Sequence, residues 1–439
     1  MFKFDISNHS SKPPGPVVTQ IKESILDKKE PAATSTNVTS NNEFKKNSKI
    51  TVCFISDKTI TVNEDLNIIN IKTDETLYDV IQKYNPHVFV TFGNWTSYKT
   101  LCNVPYDIRK KWINLKPDVT EKTIIEEIFN CYNYNLLETK SDYPLISVFT
   151  CAYNTNQKIF RPYNSLFAQS YKNWEWIVLD DSDDNKTYEL LKTIAKIDNR
   201  VKVFKPNEHV GSIGQVKKWA AGLCNGEILV DLDHDDELTN KALDYINKAF
   251  KKHEDVGFLY SNFSDIYEED NDPVLYQQNW GIGFGSVKKE LYKNINYNVN
   301  VSPAVNCATI RHISSIPPHV RAWRRNVYHK IGGHNPNLFI CDDYELIIKT
   351  FLTTKIAHLN KFCYIQYRAE NRTNDSILRN KETIRHFNIL LSLYNDEISK
   401  RFEQLNIPDL FKDKKVTEDS IKTASVNNII NCSLQINDL

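Results

Sequence analysis

Two runs of carboxylates, each at the end of an apolar stretch, are the chemistry-bearing features of this sequence. In the first, Ile228-Leu229-Val230 runs into Asp231-Leu232-Asp233-His234-Asp235-Asp236-Glu237. Asp233 and Asp235 stand two apart in a turn, where their oxygens can meet one hard divalent cation that takes its remaining ligands from phosphates. In the second, Trp176-Ile177-Val178-Leu179 empties into Asp180-Asp181-Ser182-Asp183. An acidic turn that only complements the dipole of a following helix is the competing reading for either run alone. A third stretch, Ser147-Val148-Phe149-Thr150-Cys151-Ala152, ends in Tyr153-Asn154, where an aromatic ring can stack on a base. Gly211-Ser212-Ile213-Gly214-Gln215-Val216-Lys217-Lys218 offers glycines at a helix start and two cations, a surface suited to phosphate.

The elements that must position these groups alternate regularly. Strands are predicted at Leu145–Thr150, Trp174–Leu179, Val201–Phe204, Glu227–Leu232 and Val256–Tyr260. Helices are predicted at Arg161–Gln169, Thr187–Ile197 and Ile213–Leu223, with one more capped by Thr239. Such alternation predicts an α/β domain with a mainly parallel sheet flanked by helices, and in parallel sheets ligands meet the carboxyl ends of strands. Both acidic turns then fall on one edge. A smaller α/β unit is predicted before it, from the strands Ile50–Ile55 and His87–Phe92, the helical spacing of Leu77, Val80, Ile81 and Tyr84, and a helix over Glu121–Cys131. Residues 1–48, rich in serine and proline, are expected to be a disordered arm. The boundaries are 49–140 for the accessory unit, 141–375 for the main domain and 376–439 for a helical extension, whose polar end from Asp413 is expected to pack loosely. After Phe263 the pattern is irregular and aromatic-rich as far as Arg325.

Composition narrows the function classes. Lys plus Arg number 55 and Asp plus Glu 55, so no overall field draws in nucleic acid or an anionic bilayer, and an anionic ligand must be met locally. The longest apolar runs are strand-sized, well short of the roughly 20 residues of a membrane span. The opening Met1-Phe2-Lys3-Phe4-Asp5 shows no secretory pattern, so cytoplasmic residence is the expectation. Nine scattered cysteines read as reduced, buried side chains.

Taken in order, Ser147-Val148 through Tyr153-Asn154, the strand ending Asp180-Asp181-Ser182, and Gly226-Glu227-Ile228-Leu229-Val230-Asp231-Leu232-Asp233-His234-Asp235-Asp236 resemble the family 2 glycosyltransferases. Downstream, His319-Val320-Arg321-Ala322-Trp323-Arg324-Arg325, Ile331-Gly332-Gly333-His334-Asn335 and Asp342-Asp343-Tyr344-Glu345 continue the likeness, which spans Leu145 to Tyr367. The resemblance implies a GT-A fold and a nucleotide-diphosphate sugar donor, a UDP-sugar, with a glycan or protein acceptor. It implies Tyr153, Asp180 and Asp181 at the nucleoside, with Asp181 accepting from the base, and Lys217 near the phosphates where many members carry arginine. It further implies Asp233 and Asp235 as the Asp-x-Asp pair for Mn2+ or Mg2+, Asp343 as general base, and Asp342 orienting that base or binding acceptor. His319, Arg321 and Trp323 fall on the acceptor side, and Trp280 falls where an acceptor lid is expected. Gln366-Tyr367-Arg368 and Asn371–Asn380 resemble the family's C-terminal trailer. The processive synthases' Gln-x-x-Arg-Trp motif is missing, which favours transfer of a single sugar.

Two competing readings have distinct signatures. A sugar nucleotidyltransferase needs a glycine-rich loop with Arg and Lys after the first strand, and Cys151-Ala152-Tyr153-Asn154 does not supply one. A catalytically silent carbohydrate-binding or scaffold protein would not need Asp233, Asp235 and Asp343 together.

Overall fold

The structure, a computed structural model, describes residues 49–55, 64–71, 83–93, 106–136, 143–274, 280–312, 316–368, 380–424 and 428–439. The arm 1–48, the positions Leu77, Val80 and Ile81, and residues 371–379 of the trailer lie outside the described residues.

A four-stranded sheet comes first, built from β1 (Ile50–Ile55), β2 (Leu66–Ile71), β3 (Val88–Phe92) and β4 (Trp112–Leu115). Its order is β2-β1-β3-β4 and every pairing is parallel. Both faces of β1 are apolar, as a parallel sheet covered on both sides requires. Val52 and Phe54 pack with Ile124 and Ile128, while Cys53 and Ile55 pack with Phe89 on the other face. A single-turn helix, α1 (Tyr106–Arg109), and a long one, α2 (Glu121–Leu136), complete the unit. Thr120 starts α2 by accepting the Thr123 N–H on its hydroxyl at 3.3 Å.

The main sheet has eleven strands, with the path β11-β12-β10-β13-β8-β5-β6-β7 and β14 paired beside β10. Its first half follows the predicted alternation: β5 (Ile146–Ala152), α3 (Phe160–Phe167), β6 (Trp174–Asp180), α4 (Lys186–Ile197), β7 (Val201–Phe204), α5 (Ile213–Gly222) and β8 (Ile228–Asp231). These strands pair in parallel. A short β9 (Glu237–Leu238), α6 (Ala242–Lys252) and β10 (Val256–Tyr267) follow. Thr239 does not cap α6, because its hydroxyl donates instead to the Phe362 carbonyl at 2.7 Å.

Beyond β10 the sheet becomes mixed rather than mainly parallel. The aromatic-rich segment forms a hairpin of β11 (Ser286–Tyr292) and β12 (Ile295–Val301), a single turn α7 (Thr309–His312), and β13 (Arg321–Arg324). Lys293 and Asn294 both take positive φ at the hairpin turn, the geometry that matches strand twist. β13 runs antiparallel between β8 and β10, pairing Ala322 with both Val230 and Leu259. The direction matters for the site, since β13 begins where β8 ends and sets Arg321 opposite Asp231.

The chain continues through α8 (Arg325–Lys330), α9 (Asp342–Thr353), β14 (Lys355–Arg368), α10 (Asn380–Gln404) and α11 (Glu418–Ala424) to β15 (Leu434–Ile436). The polar C-terminal stretch is not loose throughout. β15 joins β14 in parallel, the Tyr260 hydroxyl donates to Ser433 Oγ at 2.9 Å, and Cys432 N–H donates to Val305 O at 2.7 Å. Three residues of alternation are too few to signal a strand, and only the waiting edge of β14 makes one.

Arg109 ties the small sheet to the large one. Its guanidinium donates to the carbonyls of Gly222 (2.5 Å) and Cys224 (2.6 Å) and to Asn225 Oδ1 (2.9 Å), and Arg325 lies 4.0 Å over the Tyr106 ring. Of the basic run Arg109-Lys110-Lys111, Arg109 therefore docks within the molecule. Arg109→Ala is expected to lower unfolding free energy by about 2 kcal/mol, because it strips a charged donor from buried carbonyls. Denaturant titration followed by tryptophan fluorescence checks this.

Candidate functional site

The site begins at the end of β8. Asp231 is buried, and Lys217 from α5 reaches its Oδ2 at 2.9 Å and Asp233 Oδ1 at 3.4 Å. Burial works against the lysine's charge, but Asp231 and Asp233 outweigh it and hold the amine above its ordinary range. Burial raises the Asp231 carboxyl against the pull of Lys217. Burial alone would also raise Asp233, but Lys217, then His319, His234 and Arg321, hold it well below the usual carboxylate range. Lys217 thus lies beneath the carboxylates as their counter-ion, with little surface to offer a phosphate. That corrects its expected place on an open phosphate-side face.

The acidic turn is braced from β14. The Tyr364 hydroxyl accepts the Asp233 N–H at 3.2 Å and donates to Asp236 Oδ2 at 2.8 Å, while the Tyr367 N–H reaches Asp236 Oδ1 at 2.9 Å. Asp236 is buried by this work. Arg161 on α3 donates to the Asp235 carbonyl, pairs with Glu268 at 3.0 Å and lies 3.7 Å over the Tyr367 ring. Sequence reasoning missed Arg161, Glu268 and Tyr364, because partners about a hundred residues apart leave no local signal.

The second half arrives from β13 and α9. His319 stacks on Tyr364 at 4.4 Å and places Nε2 3.4 Å from Asp233 Oδ2; burial pushes its imidazole down to about 3. Arg321, almost fully buried, sends one nitrogen to Asp343 Oδ2 at 3.1 Å and donates Nε to Pro317 O at 3.2 Å. Asp343 opens α9 and takes the Tyr344 N–H on Oδ1 at 2.8 Å. Cys341 precedes the helix in a left-handed conformation. Asp342 points inward, with no hydrogen-bond partner among the described residues for Oδ2; His334 Nε2 is 3.9 Å away. Burial, then Asp343, push the Asp342 carboxyl up to about 7.

Three carboxylates therefore reach solvent at one edge: Asp233, Asp235 and Asp343, with side chains 31%, 30% and 34% exposed. Trp323 does not join them. It lies fully in the core, 4.8 Å from the Phe258 ring and donating to Thr350 Oγ1, which corrects its acceptor-side expectation. The Trp280 side chain lies outside the described residues.

On the β6 side, Asp181 accepts the N–H groups of Val210 (2.8 Å) and Gly211 (3.2 Å), so it organises the loop leading into α5. Asp180 is fully buried on Lys205 and Ser182 and presents nothing to a ligand, contrary to its expected donor contact. Tyr153 is exposed, with its hydroxyl on Asp183 at 2.8 Å and its ring 5.1 Å from that of His209. The helix start after Gly211 is also closed off. A Cβ on Gly214 would stand 2.3 Å from the Asn335 carbonyl, so glycine lets α5 press against the loop before α9. Ser212 seals the contact by donating to Pro336 O.

Among the described residues no group of three or more His, Cys, Asp or Glu side chains is arranged to hold an ion. The pair Asp233 and Asp235 still fits a hard cation in donor chemistry, having oxygen ligands with open positions for a ligand's own oxygens.

Residues 147–314 match the model for glycosyl transferase family 2, and the chain has an α/β fold consistent with a GT-A arrangement. Chondroitin synthase from Pasteurella multocida is 25% identical over 222 residues, covering 50% of this chain and 20% of that protein. The glucosyltransferase WfaP from Escherichia coli, named for UDP-Glc and a GlcNAc-diphosphoundecaprenol, is 33% identical over 120 residues, 27% of this chain and 46% of its own. The chain thus spans a fifth of the synthase and under half of WfaP. Residues 1–349 of S. aureus TarS, solved with UDP-GlcNAc, superpose with TM-score 0.43 at 19% identity, covering 58% of this chain and 72% of that one.

Asp342 provides a pH test. Its raised carboxyl gives stability that is complete below the ordinary value of 3.8 and is lost as pH rises through about 7. Asp342→Asn is expected to flatten this dependence and to gain on the order of 4 kcal/mol over wild type at pH 8 relative to pH 4. Urea midpoints at the two pH values check it.

Proposed function

We propose that this protein is a metal-dependent, inverting glycosyltransferase that moves a sugar from a nucleotide-diphosphate sugar to a hydroxyl of a glycan or protein. The observation that carries the reading is the grouping of Asp233, Asp235 and Asp343 at one sheet edge, with Asp233 held by buried Lys217 and His319 and Asp343 by buried Arg321. WfaP's name supports a UDP-sugar donor. Residues 141–375 would carry the transfer, with 49–140 as an accessory unit, 376–439 as an extension and cytoplasmic residence as the setting.

In this reading Tyr153 offers its exposed ring to the base, and Asp181 fixes the loop beneath it. Asp233 and Asp235 would hold Mn2+ or Mg2+, which when bound supplies Lewis-acid stabilisation of the leaving diphosphate. Asp343 takes the acceptor's hydroxyl proton as the new C–O bond forms on one face of the anomeric carbon. The bond to the diphosphate breaks on the opposite face, so the centre inverts. Arg321 and the Tyr344 N–H orient the carboxylate and leave lone pairs facing the hydroxyl. Removing such a base costs about 10²–10⁴ in rate. Asp342, buried beside it, acts through its neighbour rather than on substrate.

The test is nucleoside diphosphate release from a panel of nucleotide sugars with Mn2+ or Mg2+ and a mixed glycan acceptor pool. One donor should be turned over, with release abolished when Asp233 and Asp235 are both changed to Asn. Asp343→Asn should lower turnover about 10²–10⁴-fold while nucleotide binding is kept. Nucleotide binding with no turnover of any donor would favour the silent binding protein instead.

A further inference from the structure

Resting on the transferase reading, we propose that His209 reads the nucleobase of the donor, accepting a ring N–H on Nε2 and so selecting uracil- or guanine-type bases over cytosine and adenine. The other ring nitrogen fixes the tautomer. Nδ1 stands 2.8 Å from the Asp181 carbonyl and 3.1 Å from Asp181 Oδ2, so it faces only acceptors and must carry the proton. In the neutral imidazole Nε2 is then an acceptor. Among the described residues nothing hydrogen-bonds Nε2.

Three features keep that acceptor available. The His209 ring lies 5.1 Å from the exposed ring of Tyr153, beside the face offered to a base. The imidazole is 41% exposed, so a ligand can reach it. Gly211, at φ +68°, has no side chain, and a Cβ there would stand 3.4 Å from Nε2. Asp181, whose two oxygens are taken by the Val210 and Gly211 N–H groups, holds the loop that presents the histidine. Uracil and guanine offer a ring N–H donor. Cytosine and adenine present a ring-nitrogen lone pair there, which would oppose that of Nε2.

Calorimetric binding of UDP, GDP, CDP and ADP to the full chain with Mn2+ at pH 8 tests this. Wild type should prefer UDP or GDP over CDP and ADP by about tenfold, the worth of one hydrogen bond. His209→Asn keeps a donor for the Asp181 carbonyl but places no acceptor at the Nε2 position, so the preference should vanish with the melting temperature unchanged. His209→Gln, with a carbonyl near the Nε2 position, should restore part of it. An unchanged preference in His209→Asn, or a wild type that binds CDP as tightly as UDP and GDP, overturns the proposal and leaves the transferase reading standing. Failure of wild type to bind any of the four removes both.

Discussion

The buried contact of Lys217 with Asp231 and Asp233 is the constraint on which the rest of the site depends. Two carboxylates two residues apart repel, and Asp231 has no water to disperse its charge. A cation supplied from inside, on the adjacent helix, offsets that repulsion and lets the turn after β8 keep its shape. Removing one partner of such a buried pair typically costs several kcal/mol, since the survivor is left uncompensated. Position then follows from charge: with Lys217 turned inward onto Asp231, Asp233 and Asp235 are left as the groups that face outward.

The mixed character of the sheet extends the same logic. A parallel β13 would have carried Arg321 to the far end of the sheet. Running antiparallel, the strand starts at the carboxylate edge, and Arg321 reaches Asp343 from beside Asp231. The start of α9 is held in turn by Gly214, whose missing side chain admits the Asn335 carbonyl against α5. Two acidic groups of opposite fate result from this packing. Asp343 meets a guanidinium and solvent, whereas Asp342, one residue earlier, meets the protein interior. Adjacent identical side chains are thereby given different surroundings by orientation alone.

Much of the fold was legible because periodicity is local. The alternation from Ile146 to Tyr260 reports strands buried on both faces and helices with one apolar side, so β5 to β8, β10 and α3 to α6 stand close to where they were expected, while the two-residue β9 was not foreseen. The hairpin Ser286–Val301 was not legible, because Lys293-Asn294 is a weak turn signal and its strands mix lysine and asparagine with apolar residues. β15 was hidden for a different reason: its stability lies in β14, more than seventy residues away.

For the site, residue type and short-range pattern suffice to show which residues carry charge and that the acidic runs end strands. They therefore identify Asp233, Asp235 and Asp343 as chemistry-bearing groups and the family to which their order points. Which charges face water is set by packing in three dimensions. Lys217 and Asp180, expected at the donor, are buried among opposite charges, and Trp323, next but one to Arg321, turns into the core. The braces Tyr364, Arg161 and Arg321 act across the sheet. Electrostatic and hydrogen-bond energies depend on distance in space, and distance along the chain does not encode it.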